Sequence, residues 1–130
     1  MRHRAAAAIL GIAGVLGSGL AAAHHSFAVF FQTSRTISVT GVVTAVEFSN
    51  PHGLIHLSVL KPDGTLESWT AETNSPSILV RRGWSKNTLR PGEKVTVQGW
   101  PARNGARYLR MQNAFRDGHM IGKRFDPNAD

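Results

Sequence analysis

The chain has no cysteine, a single tyrosine, and eight acidic residues against fifteen lysines and arginines. Without cysteine there can be no disulfide, thiolate metal site, cysteine-linked haem or cysteine nucleophile. The fold must be held by its core alone, and any metal chemistry must use histidine, carboxylate or amine donors. A glycine-rich loop that could cradle phosphate is missing. So is a long apolar run: the stretch from Ala5 to about Leu16 is shorter than the ~20 apolar residues a membrane span needs and is mostly alanine and glycine.

That stretch fits a signal peptide over residues 1–23. Arg2, His3 and Arg4 give a basic start, Gly17-Ser18-Gly19 relaxes the apolar run, and Ala21-Ala22-Ala23 supplies a small-residue cleavage site. Cleavage there predicts a periplasmic or secreted protein of 107 residues that begins at His24 and has no transmembrane span. The formal charge falls from +7 to +5, because the leader takes Arg2 and Arg4 with it. Such a surface could attract anionic lipid or polysaccharide, but it is too weakly basic to argue for nucleic acid. The remaining length suits one domain.

Residues 24–36 read as an arm carrying His24, His25 and the apolar cluster Phe27 to Phe31. From Ile37 to Phe48, valine and threonine favour a long coiled strand, with Val42, Thr44, Val46 and Phe48 on one face and a bulge or bend at Gly41. Ser49-Asn50-Pro51-His52-Gly53 breaks it. Leu54 to Leu60 forms a second strand, Lys61-Pro62-Asp63-Gly64 a turn, and Leu66 to Ala71 a third strand. Ser75 suits an N-cap and Pro76 a first helical position. Arg81 and Arg82 suit the last turn, and Gly83 the residue beyond. This predicts a short helix. Strands follow from Lys94 to Trp100 and from Tyr108 to Phe115, joined at Asn104-Gly105. Leu109, Met111 and Phe115 share one face, and residues 122–130 read as a flexible tail. Residues 37–121 thus have the order β-β-β-α-β-β, that of an OB-like five-stranded Greek-key barrel. An open α+β sheet or another small barrel is the rival.

His24-His25-Ser26-Phe27, Gly41-Val42-Val43, Asn50-Pro51-His52, Trp69, Ser75-Pro76, Arg82-Gly83-Trp84 and Leu89-Arg90-Pro91-Gly92 together resemble a family of small exported bacterial proteins catalogued as a domain of unknown function. The resemblance covers nearly all of the expected mature chain. It implies export and one small β-rich domain, and it brings no activity.

Chemistry can be sought first at His24. An α-amine with a reference pKa near ~7.7–8.0 and the Nδ1 of the same residue form a six-membered chelate. A further imidazole would complete a histidine brace, a donor set suited to Cu(II). A rival peptide mode uses the amine, the His25 amide nitrogen and the His25 imidazole. A solvated tail is the plainer alternative. His52 and His56 lie about 13 Å apart along an extended strand at ~3.3 Å per residue, too far for one ion. His52, in a polar loop, is therefore the stronger third ligand. His56 reads more simply as a half-exposed strand residue, His119 as a solvated one.

Asn50 fits turn chemistry as well as a ligand face. Glu47, Glu67 and Glu72 could support a metal-bound imidazole or stand as solvated edge carboxylates. Trp69, Trp84 and Trp100 could form a stacking platform on the OB face, although in small barrels tryptophans mostly fill the core. Ser26 beside His25 makes no catalytic pair. Three functions follow. One is an exported module that captures a divalent metal such as Cu(II) through His24, His25 and His52. Another is a copper redox enzyme using the same brace. The third is a metal-free module that binds an envelope protein, polysaccharide or other ligand.

Overall fold

The computed structural model describes residues 26–128. The expected signal peptide over residues 1–23, His24 and His25 lie outside the described residues.

β1 (Ile37–Glu47) is the strand on which the others are hung. Val39, Gly41 and Val43 point inward, while Thr40 faces out and shares a 2.8 Å hydroxyl contact with Thr96. Its first half pairs antiparallel with β4 (Lys94–Pro101), and its second half with β2 (Leu54–Leu60). The predicted faces are corrected here. Val42 and Thr44 are exposed and Val43 is core, because the register slips between Val43↔Leu57 and Ala45↔His56. Thr44 is the extra residue of a bulge, and beyond it Val46 and Phe48 turn to the core. Gly41 is not the bulge. A Cβ there would lie 2.7 Å from the Ser58 carbonyl oxygen, so glycine permits the close approach of β2.

β2 continues through the predicted turn into β3 (Leu66–Glu72), and β4 through a hairpin into β5 (Tyr108–Arg116). A two-residue strand, β6 (His119–Met120), folds back on β5 after Asp117-Gly118, both at positive φ. Closure comes from a parallel pairing of β3 with β5: Thr70↔Tyr108, Ala71↔Leu109 and Glu72↔Arg110. The sheet order β3-β2-β1-β4-β5 thus returns to β3. That is a closed five-stranded OB barrel, and it excludes the open sheet.

Val43, Ile55, Leu57, Ala71, Val95, Val97, Leu109 and Met111 fill the barrel. A second irregularity, at Gln98/Gly99 opposite Gln112, puts Ala114 rather than Phe115 into the core. The expectation that Phe115 shares the Leu109 and Met111 face is therefore wrong. α2 (Pro76–Arg81) closes one end with Leu79, which is 2 % exposed. Ser75 occupies the N-cap position without a side-chain cap bond, and Gly83 ends the helix at φ 88°.

Arg82 does not sit on the solvent side of that last turn. It is 3 % exposed and turned inward, donating to the carbonyls of Gln112 (2.6 Å) and Lys123. Lys123 and Phe125, in the segment expected to be a loose tail, are held there. Lys123 N–H donates to the Arg82 carbonyl, Phe125 N–H to Asn113 Oδ1, and Phe125 meets Trp100 edge-on at 5.7 Å. No helix among the described residues is long and apolar enough to cross a membrane.

Candidate ligand cleft

The β3–β5 junction puts three polar side chains on the outside of the barrel. Glu72 lies in register with Arg110, and Tyr108 is two residues before it on the same face. Tyr108 Oη donates to Glu72 Oε2 at 2.7 Å, and Arg110 Nη1 donates to Glu72 Oε1 at 3.2 Å. His52 joins them because its loop is packed hard against the end of β3. A Cβ on Gly53 would lie 2.6 Å from the Glu47 carbonyl oxygen and 2.7 Å from Thr73 Oγ1, and Thr73 N–H donates to the Gly53 carbonyl. The Asn50–Pro51 bond within that loop is cis.

Arg110 is only 6 % exposed, so its charge must be matched. Its Nη1 faces the Thr73 carbonyl, Glu72 and His52 Nδ1 (3.2 Å), and Nη2 donates to Asn74 Oδ1. Burial draws its pKa below the ordinary arginine value, and Glu72 works against that shift. Burial raises the Tyr108 pKa, as does the hydrogen bond to Glu72. A guanidinium only donates, so His52 Nδ1 is the acceptor and a neutral His52 carries its hydrogen on Nε2.

The arm crosses this group. Its short helix α1 (Ser26–Phe30) is followed by a bridge between Phe31 and Ala102. Gln32 N–H donates to the Pro101 carbonyl, Arg103 N–H to the Phe30 carbonyl, and Arg103 Nε to the Ala28 carbonyl at 2.6 Å. The Phe27 ring lies 4.7 Å from the Arg110 guanidinium carbon and meets His52 edge-on at 6.3 Å. Phe31 stacks on Tyr108, with ring centroids 6.0 Å apart and planes at 20°. Between the arm, the β4–β5 hairpin and His52 lies a cleft of about 650 Å³. That is the size of a small-molecule site, and it opens where OB barrels present their first and last loops to ligands.

The other predicted residues fall elsewhere. His56 bonds to Glu47 (2.9 Å) and Thr70 (3.2 Å) and does not line the cleft that holds His52. His119 faces the Asp117 carbonyl at the β6 turn. Asn50 is exposed in its loop. Glu67 accepts from Trp69 Nε1 and from Arg107. The first bond is the larger cause holding its carboxyl below the usual range. The tryptophans form no common platform. Trp84 is a core residue bonded to the Ile121 carbonyl, Trp69 lies against Glu67, Trp100 packs on Phe125, and none lines the cleft. Among the described residues, no three His, Cys, Asp or Glu side chains gather as a metal-holding group. Sequence reasoning picked out His52 and Glu72 but missed Tyr108, Arg110 and Arg103. The one cue was an arginine between two core positions, Leu109 and Met111.

A family profile described as "Family of unknown function (DUF6152)" matches residues 13–110, a span ending on Arg110 and holding His52, Glu72 and Tyr108. The chain belongs to this family. The expected membership in an uncharacterised family is thereby borne out. No curated protein matches the chain in sequence. Among solved structures it is similar to Rim1, the mitochondrial single-stranded DNA-binding protein of S. cerevisiae. The TM-score is 0.49 and the identity 11%, over 65% of this chain and 95% of that one. A small single-stranded DNA-binding protein of Streptomyces coelicolor gives a TM-score of 0.42 and 17% identity, over 64% and 91%. The likeness to both is of fold alone.

Proposed function

We propose that this DUF6152 protein is an exported OB-type binding module that takes a small ligand into the cleft between its N-terminal arm and the β4–β5 hairpin. The observation that carries this reading is the cleft itself. Apolar walls from Phe30, Phe31 and Ala106 enclose a polar floor of His52, Glu72 and Tyr108, the composition small-molecule sites share. The test is a titration of the ¹⁵N-labelled chain with a chemically mixed fragment set, read by amide shifts. Shifts concentrated at residues 27–31, 52, 72 and 102–108 support the reading. Shifts scattered elsewhere, or none, remove it.

A second reading keeps the metal. Phe27 packs against His52, the third donor of the expected Cu(II) site, and His24 and His25 precede Phe27 by three and two residues in the chain. Against it, His52 Nδ1 receives a hydrogen bond from a cation, whereas a metal-bound imidazole usually donates its other ring N–H to an acceptor. Titration with Cu(II) of protein starting at His24, beside a form with one extra alanine, separates the modes. Tight binding lost both on extension and in His52→Ala supports the three-histidine site. Loss on extension alone supports the peptide mode, and equal weak binding by both forms removes the metal.

A further inference from the structure

The polar groups around the cleft are unequally spent. On the acidic side, Glu72 is committed: each oxygen already accepts a bond, from Tyr108 or from Arg110, and its charge is matched by Arg110. Asn104 Oδ1 is also taken, by the Ala106 N–H. The hydrogens left over lie on three donors. Arg103 uses only Nε, on the Ala28 carbonyl, which leaves both terminal nitrogens without a partner among the described residues. Asn104 Nδ2 is open, since the Ala106 bond fixes the amide with its oxygen inward to the loop. His52 Nε2 carries a hydrogen, because Nδ1 faces Arg110, and Glu72 at 3.9 Å is beyond bonding distance.

A cleft with three unspent donors, one of them an unmatched cation, complements an acceptor bearing negative charge. Its walls are apolar: Val29, Phe30, Phe31, Ala102 and Ala106. Val29 and Phe30 are each 66% exposed, so apolar surface continues along the arm beside the cleft. We infer that the ligand is a small amphiphilic carboxylate, its head met by Arg103, Asn104 and His52 and its apolar body laid along the phenylalanines. The inference rests on the cleft being the binding site and names the class of molecule that enters it. A free cation meets only a carboxylate whose charge Arg110 already matches, and a purely apolar molecule leaves the Arg103 charge unused.

The experiment compares three probes with one tail and different heads: decanoate, decan-1-ol and decylamine, titrated calorimetrically into the purified chain. Decanoate is expected to bind at one site and about tenfold or more tighter than the other two, the scale of a charge-assisted hydrogen bond. Arg103→Gln, an exposed change, should erase the preference for decanoate, and Arg103→Lys should retain most of it. Decanol or decylamine binding as tightly as decanoate overturns the inference, as does a preference unaffected by Arg103→Gln. If none of the three binds while other fragments shift cleft amides, the carboxylate inference falls and the binding reading stands. If no fragment reaches the cleft, both fall.

Discussion

Glu72 and Arg110 face each other in register across the parallel junction that closes the barrel, with Oε1 and Nη1 3.2 Å apart. The closing strands therefore carry an ion pair, one member of which, Glu72, lies on the cleft floor. A buried pair stabilises little when intact but is costly to break on one side. Arg110→Ala should cost about 3–5 kcal/mol in urea denaturation, because Glu72 loses its countercharge and the Thr73 carbonyl and Asn74 Oδ1 lose their side-chain donor. The double variant Glu72→Gln/Arg110→Met should cost clearly less than the sum of its single changes. Additive losses would show that the two residues act independently.

Tyr108 makes the same junction sensitive to alkali. Its folded pKa is raised, first by burial and then by Glu72, so the folded state favours the neutral phenol. The stabilisation is complete below the ordinary phenol value of about 10 and is lost as pH climbs above it. The wild-type chain should lose stability more steeply above pH ~10 than Tyr108→Phe. Parallel curves of melting temperature against pH would refute this.

The arm should be held mainly by its aromatic contacts. Phe31 is 5% exposed and stacked on Tyr108, so Phe31→Ala should cost about 3 kcal/mol or more and speed amide exchange over residues 27–35. Phe27→Ala removes the ring over Arg110 and should cost less, since Phe27 is only half buried. A proteolysis time course gives the order. Cleavage near the arm should come fastest in Phe31→Ala, slower in Phe27→Ala and slowest in the wild type.

Two glycines differ in what they protect. A Cβ on Gly99 would run into the Arg110 carbonyl oxygen, so Gly99→Ala should destabilise by about 3 kcal/mol or more. At Gly64 nothing lies within 4 Å and only the positive φ of 83° resists a side chain. Gly64→Ala should therefore cost only about 1 kcal/mol. Equal losses from the two changes would contradict the close approach of β4 to β5.

Much of the barrel was legible in the sequence because its punctuation is local. Pro62-Asp63-Gly64, Ser75-Pro76, Gly83, Pro91-Gly92 and Asn104-Gly105 each mark an element boundary that the structure keeps. The bulges at Thr44 and Gln112 were not legible, since each answers to a partner strand far away in sequence. They are also why Val42 and Phe115 were assigned to the wrong faces. Of the site, His52 announced itself through an unusual loop and Glu72 through its charge. Arg82 and Arg110 did not, because an arginine in a strand or a helix end ordinarily reads as solvated. Only closure of the sheet shows that Arg110 is enclosed by Glu72, Thr73 and Asn74.

The cleft touches both sides of the parallel seam, with Glu72 from β3 and Tyr108 from β5 on its floor and the arm lying across them. A molecule seated there acts as a clasp on the line where the barrel would open. Its occupancy adds to the folding free energy by mass action, growing with the logarithm of its concentration over Kd. The melting temperature of the chain is thus itself a gauge of the ligand. A preparation that melts higher before dialysis than after it would carry its natural occupant, ready to be extracted and weighed.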